Sequence, residues 1–426
     1  MVSNKQTAKN MAVILFRFIM YSPAVLCYNL VYYLRLKKKS PKFLTFYKAE
    51  APLKFFHTSD WHLGRMLYGR SLLEDQRYFL EQVFLPAVER ERPDCILLAG
   101  DIYDRQIAPP EAIRLFDRTL SRLTELNCKV AVISGNHDGS DRIAILKNIL
   151  RKNGVFLATE LSDAFSPIFL EAGEEKAQLF LLPYLDSSAV RDYFQDDTLR
   201  GEGACMARVL SELEPLFLPD CLHILMTHCF AAGSAPSDSE STMFVGGSGE
   251  VPPELFSSFD YAALGHLHGP QRAGKTGRYS GSPLKYSVDE ESQKKSFLML
   301  ESDQGALKQT ELPIVPLRDV RRITGLFQDL LSAGQDHTCE DYVELELTDK
   351  APILLAAERL RPYYPNLLSV TNRWAADSAV GERAQKLQNQ TEDVIFRSFL
   401  KDVCNIEAAG PDLELFSEIL REVDKP

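Results

Sequence analysis

The sequence predicts a layered α/β fold, followed by a small α/β unit and two amphipathic helices. Three observations carry this. Five short apolar runs each end in side chains able to bind metal, helical stripes separate the early runs, and the pattern changes past Pro316.

Leu53 to Thr58 leads into Ser59-Asp60-Trp61-His62, and Cys95 to Ala99 leads through Gly100 to Asp101 and Asp104. Val130 to Ile133 precedes Gly135-Asn136-His137-Asp138, Leu222 to Thr227 ends on His228, and Tyr261 to Leu264 precedes Gly265-His266-Leu267-His268. Runs apolar on both faces suit strands buried in a parallel sheet. The carboxyl ends of such strands face one crevice, so these side chains are expected to meet there. Between the runs, Leu72 to Arg92 has helical spacing that Pro86 should kink or divide. Pro109-Pro110 opens a second helix, with Ile113, Phe116, Leu120 and Leu123 on one stripe. A second half follows, with Leu179 to Leu182 and the strands that carry His228 and His266.

At 426 residues, 45% hydrophobic and 25% charged, the chain can bury a large core and reads as ordinary globular protein after its first fifty residues. The eight cysteines form no CxxC pair, which fits reduced thiols better than a disulfide framework or a zinc site. The net charge of −11 hides an asymmetry: past residue 50 the chain carries 39 basic and 58 acidic residues. Bulk attraction therefore cannot bind a polyanion; metal ions, a local basic strip or a partner must supply the positive charge.

Residues 1–52 form a basic, apolar leader. Met11 to Tyr33 is interrupted by Arg17, Pro23 and Asn29, and Arg35 with Lys37, Lys38 and Lys39 follows. A membrane anchor with a basic flank is one reading. A non-native extension ahead of a protein that starts near Leu53 is the favoured one.

Two adjacent divalent ions need about four protein ligands each and a shared carboxylate. Asp101 is the natural bridge. Asp60, His62 and one distal histidine would complete one ion, and Asn136, His228 and the other distal histidine the second. Mixed nitrogen and oxygen donors without thiolate favour Mn, Fe or Zn over Ca, with Mn preferred and Mg as an alternative.

These motifs stand in the order of the calcineurin-like metallophosphoesterases. Thr58 to Gly64, Leu264 to His268 and Tyr279-Ser280-Gly281-Ser282-Pro283-Leu284-Lys285-Tyr286 further resemble the branch of that family formed by nuclease subunits that work with an ATPase. The resemblance runs from about Leu53 to the carboxyl terminus. It implies a metallophosphoesterase sandwich in which Asp60, His62, Asp101 and His268 hold one Mn ion, and Asp101, Asn136, His228 and His266 the other. It also implies that His137 is no ligand but meets the scissile phosphate as general acid, oriented by Asp138. Implied too are cleavage of DNA, as a 3′–5′ exonuclease on duplex ends and an endonuclease on hairpins or single strands, in repair, recombination and replication. The setting would be the bacterial cytoplasm near the nucleoid, in a homodimer within a heterotetramer.

Other features carry expectations of their own. Arg65, Arg70, Arg278, Tyr279, Lys285 and Tyr286, with Lys294 and Lys295, are candidates for DNA contact or for a solvated charged face. Asp104 should support the site or its turn, Trp61 should pack, and His57, His223 and His337 should be strand or surface histidines. Gly269 to Thr276 matches the P-loop pattern, but Gly277, Gly281 and Pro283 follow where a helix is needed, so no ATP site is expected. Ala231 to Glu250 is either a surface loop or the rim of the crevice.

The domain scheme is a phosphoesterase domain at 53–315, a cap at 316–380, a linker at 381–390 and a helical tail at 391–426. In the cap, Val343 to Leu347 alternates like a half-exposed strand. In the tail, the helices Thr391 to Cys404 and Pro411 to Val423 would dock on the ATPase partner or pack on the cap. A phosphoesterase for small nucleotides or phosphoproteins, and a membrane-tethered scaffold without activity, are the alternative readings.

Overall fold

The computed structural model describes residues 52–240, 249–303 and 305–373, with 396, 397, 401, 410–413, 415 and 416 beyond them. The leader, the linker and most of both tail helices lie outside the described residues. All that follows belongs to the compact unit Ala51–Pro426.

Each predicted apolar run is a strand. One six-stranded sheet has the order Ala306–Pro313, Ser296–Asp303, Lys54–Thr58, Cys95–Ala99, Lys129–Ile133, Val155–Ala158, and its last four strands run parallel. The other has the order Gln271–Ala273, Gly277–Tyr279, Tyr261–Gly265, Leu222–His228, Glu175–Leu181, Ile168–Ala172, with a parallel centre. Phe55, Leu97, Ala99 and Ala131 of the first sheet pack on Leu179, Ile224, Met226 and Ala263 of the second. Their neighbours Phe56, Ile96, Leu98 and Val130 point the other way, onto helices. Both faces of these strands are thus buried, which is why their sequences are apolar without alternation.

One helical expectation holds and one needs correction. The segment 73–91 is divided just ahead of Pro86, where Phe79–Phe84 winds as a π-helix between Leu73–Tyr78 and Leu85–Glu91. The wider turn directly precedes Pro86, which stands in the first turn of the last segment. On the helix Pro110–Glu125 the buried stripe is Ala112, Leu115, Phe116, Thr119 and Leu123, and Ile113 is exposed.

The P-loop look-alike is a hairpin: Gln271–Ala273 turns through Gly274 into the antiparallel strand Gly277–Tyr279. Beyond it, a third, three-stranded sheet is wholly parallel, in the order Val320–Gly325, Tyr342–Leu347, Leu367–Asn372. Its first strand and the helix Phe327–Asp336 carried no sequence expectation. This sheet meets the phosphoesterase region at buried Asp75, whose carboxylate accepts from Arg318 (3.0 Å) and from the Tyr342 hydroxyl (2.8 Å). No helix among the described residues is long and apolar enough to cross a membrane.

Candidate metal centre

Strand register brings the expected side chains to one level. Thr58 pairs with Leu98, Ala99 with Ile133, and Gly265 with His228, so the strand ends are flush. Asp60, Asp101 and Asn136 follow two or three residues beyond their strands. Asp60, His62, Asp101 and His266 all have positive φ, of 54°, 42°, 51° and 106°. Such conformations cost about 1–3 kcal/mol each in residues with a Cβ and persist where the surroundings fix them. Here the Asp60 N–H donates to the Gly100 carbonyl (3.1 Å), the His62 N–H to the Asp101 carbonyl (2.9 Å), and the His266 N–H to the Asp60 carboxylate (3.0 Å). Gly265 allows the close approach of the sheets, since a Cβ there would collide with the Ala99 carbonyl.

Asp101 stands at the middle. One of its oxygens lies 3.5 Å from His62 Nε2 and 3.4 Å from His228 Nε2; the other accepts the His137 N–H at 2.9 Å. His62 and His268 face each other with their Nε2 atoms 3.1 Å apart. Asn136 Oδ1 lies 2.9 Å from His228 Nε2 and 3.2 Å from His266 Nδ1. These contacts place His62 and His268 together and Asn136, His228 and His266 together, with Asp101 in reach of both His62 and His228.

The cluster fits divalent cations. Asp60 Oδ2 is buried without a hydrogen-bond partner, a costly arrangement for a carboxylate unless a cation takes the site. Ligand atoms of Asp60, His62 and His268, and separately of Asp60, Asp101 and His228, lie within 4.8 Å of one another. The donors are oxygen and imidazole nitrogen, as expected for a borderline-hard metal.

Electrostatics differ between the two carboxylates. Burial, reinforced by the nearby Asp101 charge, pushes Asp60 up to about 8. Burial acts on Asp101 in the same direction, but the charge and the hydrogen bond of His228 outweigh it and hold it well below the usual range. Burial opposes a charge on His228, yet Asp101 raises it to about 9. Burial lowers His62, and lowers His266 to about 3. Asp101 is therefore held as an anion beside His228.

Several expectations are corrected. The Asp138 carboxylate does not reach the His137 ring; it ties loops together by accepting the N–H groups of Gly135 (2.9 Å), Tyr103 (3.0 Å) and Ile102 (3.2 Å). The group at His137 Nδ1 is the Asp104 carbonyl, at 3.0 Å. Tyr279 and Tyr286 are buried, with their hydroxyls donating to the carbonyls of Cys229 (2.8 Å) and Trp61 (2.6 Å), and so present no face to DNA. Four of the basic candidates pair within the chain, Arg65 with Asp104, Arg70 with Asn366, Arg278 with Glu311 and Lys285 with Asp319, while Lys294 is exposed. Lys295 is buried against Glu290. His57 lies between the sheets, its Nδ1 2.9 Å from the Tyr261 hydroxyl.

Sequence reasoning missed Gln76, which donates to the carbonyls of Trp61 (3.1 Å) and His62 (2.8 Å) and so holds the first ligand loop. It also missed Ser239, Glu240 and Glu290 around His268. Ser239 and Glu240 place the described end of the Ala231 to Glu250 loop at the crevice. Glu290 sits in an Asp-Glu-Glu run that reads as solvated surface, so no local signal marked it.

Residues 53–270 match the calcineurin-like phosphoesterase family, and residues 316–403 match a family described as the type 5 capsule protein repressor C-terminal domain. The SbcD subunit of the SbcCD nuclease from Staphylococcus epidermidis is 33% identical over 355 residues, covering 82% of this chain and 93% of the relative. A solved dimetal phosphatase from Danio rerio is 13% identical with a TM-score of 0.40, over 62% of this chain and 99% of that one. That structural likeness is too distant to add to the topology described above. By the family match, the extent of the curated relative and the order of the ligand residues, the chain belongs to the calcineurin-like phosphoesterases, in the family of the SbcD nuclease subunits.

Proposed function

We propose that the chain is the nuclease subunit of an SbcCD-type complex, a two-metal phosphodiesterase that acts on DNA with an SbcC-like ATPase. The observation that carries this is Asp101, set between His62 of its own sheet and His228 of the other, as a bridging ligand must be. We assign Asp60, His62, Asp101 and His268 to one ion and Asp101, Asn136, His228 and His266 to the second, with Mn as the preferred metal.

Held by these residues, the cations would supply Lewis acidity toward the scissile phosphate. The chain's own residues do the rest. Asp101 fixes His137 by accepting its backbone N–H. With Nδ1–H committed to the Asp104 carbonyl, His137 Nε2 is the atom that delivers a proton to the leaving oxygen. We assign 3′–5′ exonuclease action to duplex ends and endonuclease action to hairpins and single strands, in repair, recombination and replication in the bacterial cytoplasm. The domain division proposed is phosphoesterase 53–315, cap 316–380, linker 381–390 and partner-binding tail 391–426, in a homodimer within a heterotetramer.

The test is digestion of end-labelled linear and hairpin DNA by the full chain in Mn²⁺, then in Mg²⁺, with Asp101→Asn as control and a bis-aryl phosphate alongside. DNA cleavage that the control lacks supports the nuclease. Hydrolysis of the small diester with DNA untouched, even with the ATPase added, would instead support a small-molecule phosphoesterase, a reading that the internally paired basic side chains favour.

A further inference from the structure

His268 is held at three points by groups outside the ligand set. Its backbone N–H donates to Glu240 (2.5 Å), its carbonyl accepts from Lys295 Nζ (2.8 Å), and its Nδ1 lies 2.5 Å from Ser239 Oγ. The same Ser239 hydroxyl lies 2.5 Å from Glu290 Oε1, and the other oxygen of Glu290 accepts from Lys295 at 2.6 Å. Ser282 Oγ (2.9 Å) and Gln293 Oε1 (2.7 Å) also lie within reach of Lys295 Nζ, whose three protons are shared among these four acceptors. Lys295, Glu290, Ser239 and His268 thus form one chain of hydrogen bonds, and Lys295, Glu290 and His268 are buried.

Proton counting gives this chain a direction. The ammonium of Lys295 can only donate, so Glu290 beside it is a carboxylate and can only accept. Ser239 has a single proton, and the carboxylate claims it. What remains on Ser239 toward His268 is a lone pair, which requires a proton on Nδ1. In the neutral ring, Nε2 then carries the free lone pair, and it is Nε2 that faces His62 at 3.1 Å. The ligand His228 is set differently, by the backbone carbonyl of Ala99 at 2.9 Å from its Nδ1.

We infer that Ser239, Glu290 and Lys295 are positioning residues that lock His268 in the Nδ1–H tautomer and aim its Nε2 lone pair into the centre for a divalent cation. This rests on the metal-centre reading above. It gives the loop before residue 241 a task, since a ligand's tautomer depends on Ser239 being seated. Outer partners of metal-bound histidines typically change affinity about 10–100-fold when removed.

The test has two readouts on the full chain. Long-range ¹H–¹⁵N correlation on metal-free protein should show His268 protonated at Nδ1, and Ser239→Ala should weaken or invert that preference. Mn²⁺ titration by calorimetry should show one of two sites weakened about tenfold in Ser239→Ala. Because Glu290→Gln alone strands Lys295, the paired change Glu290→Gln with Lys295→Met serves as the second variant, and it should weaken the same site. An Nε2–H tautomer in the wild type, or unchanged Mn²⁺ affinity in both folded variants, would overturn the inference. Failure of the wild type to bind Mn²⁺ would overturn the metal-centre reading, while the tautomer measurement would still decide the relay.

Discussion

The two six-stranded sheets contribute unlike halves of the centre. The first supplies Asp60, His62, Asp101 and Asn136, mostly oxygen donors on loops past the strand ends, three of them at positive φ. The second supplies His228, His266 and His268, all nitrogen donors. Backbone hydrogen bonds hold the first half, whereas in the second His228 leans on Ala99 of the first sheet and His268 on a side-chain network. The first half offers four donor residues and the second three, too few for two cations at about four ligands each. The centre is a property of the interface, and the interlayer core sets its dimensions.

The largest effect should come from removing the carboxylate that both halves share. Asp101→Asn is expected to lower phosphodiester hydrolysis by about 10⁴-fold or more and to abolish the rise in melting temperature that Mn²⁺ gives the wild type. Should that rise survive, Asp101 would not be the shared ligand. His137→Ala separates chemistry from metal holding: kcat should fall about 10²–10⁴-fold with Mn²⁺ affinity kept, as titration of the same preparation would show. Loss of metal together with rate would move His137 into the ligand set.

The interface itself can be loosened next. Leu97→Ala, fully buried between the sheets, should cost about 2–5 kcal/mol in denaturant unfolding. If the interlayer core sets the site, Mn²⁺ affinity should fall with it, although Leu97 touches no proposed ligand role.

His57 joins the same two layers through Tyr261, and burial lowers its pKa to about 3. Its unfolded value lies near 6.5, so below that pH the unfolded chain binds a proton the folded chain refuses. Stability from this group is complete above pH 6.5 and is lost as pH falls from 6.5 toward 3, by up to about 1.4 kcal/mol per pH unit. His57→Phe should flatten that part of the stability–pH curve; an unchanged acid limb would mean that His57 is not neutral in the folded chain.

The smallest effect is expected away from both halves, where the third sheet meets Asp75. Tyr342→Phe removes one donor of two and should cost about 1 kcal/mol, with Mn²⁺ affinity unaltered. A change in affinity would tie the third sheet to the first ligand loop through Gln76, the neighbour of Asp75.

The strand ends were legible because a buried strand needs an unbroken apolar run, and the turn that follows must spend Gly, Asp, Asn or His to reverse. Asp60, Asp101, Asn136, His228, His266 and His268 could all be read that way. The helix face at Ile113 could not, since a one-residue rotation alters the buried stripe without altering its spacing. Ser239 and Glu290 left no trace either, because their partner His268 lies 29 and 22 residues away and the pairing exists only once the loop is seated.

The sequence by itself determined which residue types arrive at which strand ends, because periodicity and turn chemistry are local. Tertiary structure decided what those residues do for one another. Asp138 braces backbone rather than His137, Tyr279 is core, and Lys295 serves Glu290, since burial and pairing depend on which surfaces the two sheets close over. Charge in particular escapes a linear reading: a lysine becomes a buried hydrogen-bond donor only when a carboxylate from elsewhere in the fold is brought within reach and both leave water together.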